Sequence, residues 1–135
     1  MLSSPDTQDY MTVSPVTLLP STGIYEAIQA LLDRRISGAT VVDEQGNVVG
    51  VISEMDCLRA ILSGTYHGQV GGTVGDYMTK QVESVDPDKT ILDVARQLVD
   101  GHRRRLPIVK DGKFVGQYSC RSMLRAVAEL TEKRA

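Results

Sequence analysis

Asp9-Tyr10-Met11-Thr12 recurs letter for letter as Asp76-Tyr77-Met78-Thr79, and this repetition decides how the rest of the chain is read. At the same offset of 67 residues Pro20 meets Pro87, Ile24 meets Ile91, Leu31 meets Leu98, Asp33 meets Asp100 and Val42 meets Val109. One residue drops out in a turn. Gly46 then meets Gly112, Val49-Gly50 meets Val115-Gly116, Ser53 meets Ser119 and Leu58-Arg59-Ala60 meets Leu124-Arg125-Ala126. Matches in this order over this span mark a duplicated structural unit.

Each copy predicts the same elements. An extended entry, Val16–Leu19 or Val82–Val85, runs up to Pro20 or Pro87. A helix follows, with Ile24, Ala27, Ile28, Leu31 and Leu32 on one face in the first copy and Ile91, Val94, Ala95, Leu98 and Val99 in the second. Two strands joined by a tight turn come next: Ala39–Asp43 with Val48–Ser53, then Leu106–Lys110 with Lys113–Ser119. Gly46 and Gly112 supply the positive φ that such turns need. A second helix closes each unit, Met55–Leu62 and Arg121 to about Glu132. The expected fold is α/β: two β-α-β-β-α units packed sheet to sheet with pseudo-twofold symmetry, because one unit of this size buries too little surface alone. The expected divisions are a tail at 1–8, repeat one at 9–62, a linker at 63–75 with five glycines, repeat two at 76–130 and a tail at 131–135.

Composition narrows the function classes. The 135 residues are 41% hydrophobic and 24% charged, with no Trp and one Phe, so the core is aliphatic. A net charge of -2 gives no general attraction to nucleic acid or anionic membrane. No apolar run approaches the ~20 residues of a membrane span, and the N-terminus lacks a basic start and an apolar core, which points to the cytoplasm. Cys57 and Cys120 form no metal or redox spacing and read as small buried or half-buried hydrophobes. His67 and His102 have no ligand spacing, so no metal is expected. No nucleophile motif or phosphate loop is present, and the chain does not read as an enzyme. Gly71-Gly72-x-x-Gly75 lacks a flanking strand and helix and reads as linker. Tyr10, Tyr66 and Tyr77 are too scattered to stack nucleic-acid bases.

In sum, the D-Y-M-T entries, the strand openings Ser37-Gly38-Ala39-Thr40-Val41-Val42-Asp43 and Arg104-Arg105-Leu106-Pro107-Ile108-Val109, and the closing run Gly50-Val51-Ile52-Ser53-Glu54-Met55-Asp56 carry a signature. The sequence resembles a pair of CBS domains, the regulatory module named after cystathionine β-synthase, over residues 9–130. The resemblance implies binding of an adenosine ligand (AMP, ADP, ATP or S-adenosylmethionine) in clefts between the copies, with no further cofactor. It implies that the Ser and Asp of one closing run hold ribose. The other copy's entry segment and the residues before its first hairpin strand would meet base and phosphate.

These roles fall on Ser53, Asp56, Val82, Arg103, Arg104 and Arg105 for one cleft, and on Val16, Ser37, Gly38, Ser119 and Ser122 for a weaker second. A carboxylate at Asp56 accepts hydrogen bonds from both ribose hydroxyls. Ser53-x-x-Asp56 also reads as a helix capping box, and the two roles can coexist. Ser122 stands where the second carboxylate would be, so that clamp is weakened, though Arg121 is placed to engage a phosphate. Guanidinium forks at Arg103–Arg105 match phosphate oxygens, with Arg104 or Arg105 favoured over Arg103. The same run also reads as a solvated basic turn, and His102 as a surface residue. The expectation is a regulatory nucleotide-binding module, homodimeric and signalling to an effector protein in trans. The alternative is a structural or interaction module with degenerate, empty clefts.

Overall fold

The computed structural model describes residues 7–13, 15–66 and 71–134. In the first repeat the entry forms β1 (Thr17–Leu18), followed by helix α1 (Ile24–Arg34), hairpin strands β2 (Gly38–Val42) and β3 (Val48–Ser53), and helix α2 (Glu54–Tyr66). A one-turn helix α3 (Val74–Tyr77) then leads to the second repeat, which holds α4 (Ile91–Asp100), β4 (Arg105–Lys110), β5 (Lys113–Ser119) and α5 (Cys120–Arg134). The chain divides into two compact units, Val16–Val82 and the described residues of Met1–Pro15 with Glu83–Ala135. The fold is the expected mixed α/β type.

The turns follow their chemistry. Asp111 and Gly112, at φ 51° and 81°, make a two-residue turn with both centres left-handed, which suits the twist of a hairpin. The longer turn of the first copy is held by Asp43, whose Oδ1 accepts from the Gln45 and Asn47 amides at 2.9 Å each, with Gly46 at φ 87°. Both α1 and α4 are followed by a left-handed non-glycine residue, Arg35 at φ 54° and His102 at φ 51°. The next amide then returns to the helix, Ile36 to Leu31 and Arg103 to Leu98, each at 3.0 Å. Thr90 and Asp93 close a capping box at the start of α4.

β1 pairs parallel to β2, and β2 antiparallel to β3. In the other unit β4 pairs antiparallel to β5, and the expected entry strand is reduced to one parallel bridge, Val85 to Ile108. The outer edge of each hairpin is covered by a Met-Thr segment of the repeated tetrapeptide, and the segments are exchanged. Thr79 pairs with Val51 through bonds of 2.9 and 3.0 Å, and Thr12 pairs with Gln117 through bonds of 2.9 and 3.1 Å. Tyr10 accordingly belongs to the core of Leu106, Ile108 and Tyr118, while Val74 belongs to that of Val41 and Ile52.

Gly50 and Gly116 are what permit this. A β-carbon on Gly50 would stand 2.6 Å from Met78 Sδ and 2.9 Å from the Thr79 carbonyl. One on Gly116 would stand 2.6 Å from Met11 Cγ and 2.7 Å from the Thr12 carbonyl.

Some expectations shift. Leu32 and Val99 are 65% and 71% exposed, because each lies about 80° around its helix from Ile24 or Ile91. Helix α2 continues to Tyr66, into the stretch expected to be linker. Gly64 is buried within it, and packing there offsets the ~1 kcal/mol that glycine costs in a helix. Residues 67–70, including His67, lie outside the described residues, as do 1–6 of the expected tail; Thr7 and Gln8 begin a helical turn, with Thr7 buried. Helix α5 runs on through the expected tail to Arg134. Cys57 is buried, and desolvation pushes its thiol up, whereas Cys120 is exposed because it opens α5 at the surface.

Two predictions come from this packing. Gly116→Ala should cost about 1–3 kcal/mol in urea unfolding, more than an ordinary strand Gly→Ala, since Met11 and a backbone carbonyl both stand in the way. Tyr118 is fully buried and its hydroxyl has no hydrogen-bond partner. Tyr118→Phe should therefore leave stability unchanged or raise it by about 1 kcal/mol. Burial pushes the Tyr118 phenol up, so the unfolded chain ionises first. Stability is fully present below about pH 10 and falls above it, and the Phe variant should lose less there.

Candidate functional site

The hairpin register builds the same local arrangement twice. Gly38 pairs with Ser53, and the Glu54 amide donates to the Ser37 carbonyl at 3.0 Å. The opening of the first strand thus lies beside the closing run of the second. In the other unit Arg105 pairs with Ser119, and the Cys120 amide donates to the Arg104 carbonyl at 2.9 Å. Ser37 and Gly38 are therefore neighbours of the Ser53 and Asp56 run, and Arg104 and Arg105 neighbours of the Ser119 and Ser122 run. The expected group of Ser53, Asp56, Val82 and Arg103–Arg105 draws on both units.

At the start of α2 the capping box is complete. The Ser53 amide and hydroxyl both donate to Asp56 Oδ2 at 2.9 Å, and the Asp56 amide donates to Ser53 Oγ at 3.2 Å. Arg59 Nη1 donates to the other oxygen, Oδ1, at 2.7 Å. Asp56 is only 5% exposed, a carboxylate held in place by three donors. An acidic group in the first turn is also favoured by the helix dipole.

At the start of α5 the same box is made without charge. The Ser119 amide donates to Ser122 Oγ at 2.9 Å, the Ser122 amide to Ser119 Oγ at 3.0 Å, and the Ser122 hydroxyl to the Ser119 carbonyl at 3.0 Å. Ser122 keeps the cap but presents no acceptor of comparable strength. The counterpart of Arg59 is Arg125, which finds Ser122 in place of a carboxylate and lies over the Tyr10 ring, 6.0 Å from its centroid. Tyr10 is hydrogen-bonded to Glu129, which with burial raises its phenol.

The basic run divides. His102 is exposed, as expected, and holds the left-handed position of the turn. Arg104 is exposed and Arg105 half-buried. Arg103 is paired: its Nε lies 3.4 Å from Glu83 Oε2. Sequence reasoning missed Glu83, and the pairing of Leu18 with Val41 and of Val85 with Ile108 makes Glu83, rather than the expected Val82, the counterpart of Val16. Val82 and Val16 are half-buried, and Val16 packs against the core of its own unit. Arg121 is exposed. A groove of about 610 Å³ opens between α1 and α2, with Ser37 and Ser53 at its edge and Ile28, Leu31, Leu58 and Ile61 among its lining. Among the described residues no three or more His, Cys, Asp or Glu side chains converge as a metal site would require. No helix among them is long and apolar enough to cross a membrane.

Comparison with known proteins agrees with this architecture. The chain is 33% identical to the uncharacterized protein MJ1225 of Methanocaldococcus jannaschii over 109 residues, 81% of this chain and 38% of that protein. It spans 58% of the chloroplastic CBS domain-containing protein CBSX2 of Arabidopsis thaliana. The crystal structure of CBSX2 in complex with AMP superposes with a TM-score of 0.81 at 29% identity, covering 93% of this chain and 97% of that one. The CBS domain pair of MJ0100, in complex with 5′-methylthioadenosine and S-adenosyl-L-methionine, gives 0.77 at 25%, covering 92% and 96%. The CBS domain itself matches twice, at residues 8–63 and 74–129, so the chain belongs to the CBS-domain family as a tandem pair.

Proposed function

We propose that the chain is a non-catalytic regulatory module that binds an adenosine-containing ligand and signals its presence to another protein. The observation that carries this reading is the buried Asp56 carboxylate, fixed by Ser53 at the start of α2. A charged acceptor of this kind matches a ribose diol. The complexes of CBSX2 with AMP and of MJ0100 with 5′-methylthioadenosine and S-adenosyl-L-methionine support the ligand class. Ser53 and Asp56 are assigned to ribose, Val82 to the base and Arg104 and Arg105 to phosphate. Val16, Ser37, Gly38, Ser119 and Ser122 form the weaker set, because Ser122 supplies no charge.

The exposed apolar side chains Leu32, Met55, Leu58 and Leu62 support a homodimer built on the α1 and α2 face. Ligand occupancy would be read by an effector in trans through a change in packing. A structural module with empty sites is the second reading, favoured by Ser122.

Calorimetric titration with AMP, ADP, ATP and S-adenosylmethionine decides between them. At least one ligand should bind below millimolar, and Asp56→Ala should weaken it by about tenfold to a hundredfold. That variant also loses its cap, about 0.5–2 kcal/mol, so urea unfolding must show it still folded at the titration temperature. Ser122→Asp should restore the second clamp and raise the stoichiometry toward two per chain. Absence of any binding tighter than about millimolar leaves the structural module.

A further inference from the structure

Glu83 and Arg103 belong to one unit, in the segment leading to Val85 and in the turn that leaves α4. Arg103 Nε and Glu83 Oε2 are 3.4 Å apart, each atom sealed from solvent and each without a hydrogen-bond partner. The carboxylate is seated on Gly101, where a β-carbon would stand 2.8 Å from Glu83 Oε2. Gly101 has φ -87°, open to any residue, so what its missing side chain provides is room for the end of Glu83 rather than backbone freedom. The seat is poor for an anion. It is the carbonyl end of α4, and Asp93 and Asp100 line the same concavity of about 430 Å³, with Arg96 the cation there. Arg103 is the group in contact that holds the charge in place.

The repeat shows that this pair replaces something else. At the offset of 67 residues Glu83 corresponds to Val16 and Arg103 to Ile36, and both of those pack against the core of their own unit. An apolar pair in one copy is an opposite-charge pair in the other. Within the run Arg103-Arg104-Arg105, the first guanidinium is therefore already paired with a carboxylate, although 34% of its side chain and 41% of that of Glu83 stay exposed.

We propose that Glu83 is a specificity-determining residue: by cancelling Arg103 it limits the negative charge that the module accepts, favouring ligands with few phosphates over triphosphates. This rests on the reading of the chain as an adenosyl-binding module. The Coulombic effect of one fixed charge grows with ligand charge, which gives a graded test.

Uncharged 5′-methylthioadenosine, AMP, ADP and ATP are titrated into the wild type, Glu83→Gln, Arg103→Gln and the double variant. Glu83→Gln should tighten ATP about tenfold and AMP about threefold and leave 5′-methylthioadenosine unmoved. Arg103→Gln should shift the same ligands in the opposite sense and the same order. The double variant should return to within about twofold of wild type, since the pair contributes no net charge. Glu83→Val with Arg103→Ile, copying the other repeat, should behave like it and controls for packing. Equal shifts for all four ligands, no shift, or a double variant that fails to return would overturn the proposal. If the wild type binds none of the four, the binding function falls with it; if it binds and Glu83→Gln is flat, the selector alone falls.

Discussion

Everything else in this chain depends on a two-residue patch of main-chain pairing laid over a glycine. Thr79 on Val51 and Thr12 on Gln117 finish the outer edge of each hairpin, and the methionine beside each threonine lies where a side chain at Gly50 or Gly116 would be. An unpaired strand edge is an invitation to aggregation, and short hairpins are marginal alone. Each sheet is covered by the tetrapeptide that precedes the other copy's entry strand. The duplication is therefore more than two similar parts in series, since each compact unit takes an essential piece from beyond its own hairpin and helices.

That constraint accounts for the Tyr-Met-Thr of the tetrapeptide while neighbouring positions drift. Tyr and Met supply apolar cover, Thr supplies two backbone bonds, and Asp76 closes a capping box with Thr73 ahead of α3. The closing runs obey a looser rule. A cap requires an oxygen three residues after Ser53 or Ser119, and either Asp56 or Ser122 provides one. The scaffold accepts both, so the carboxylate at Asp56 adds something that the cap alone does not demand.

Much of this was legible in the residues. The repeat, the helix and hairpin order and the glycine turns were all visible, because each has a local chemical cause. The capping box at Ser53 was also visible, and so was its neutral version at Ser122. The exchange of the tetrapeptides was not, since a segment that flanks both copies carries no sign of which sheet it joins. The length of α2 was hidden by Gly64, whose helical cost is outweighed by burial that only the folded chain reveals. The Glu83–Arg103 pair was hidden by sequence distance. A signal did exist: two positions that are apolar in one copy, Val16 and Ile36, become opposite charges in the other.

The same bookkeeping of hydrogen bonds bears on how Asp56 could serve a ribose. A carboxylate has about four acceptor positions, and here the Ser53 amide, the Ser53 hydroxyl and Arg59 occupy three. A diol that donates two hydrogen bonds needs one more than remains. Releasing Ser53 would open the cap and leave the start of α2 unpaired. Releasing Arg59 costs far less, because its side chain is 66% exposed and exposed ion pairs contribute little. In the proposed complex Arg59 is thus the partner that yields, while Ser53 keeps the carboxylate aimed. Arg125 has already taken the equivalent course, set over Tyr10 because Ser122 offers it no carboxylate at the start of α5.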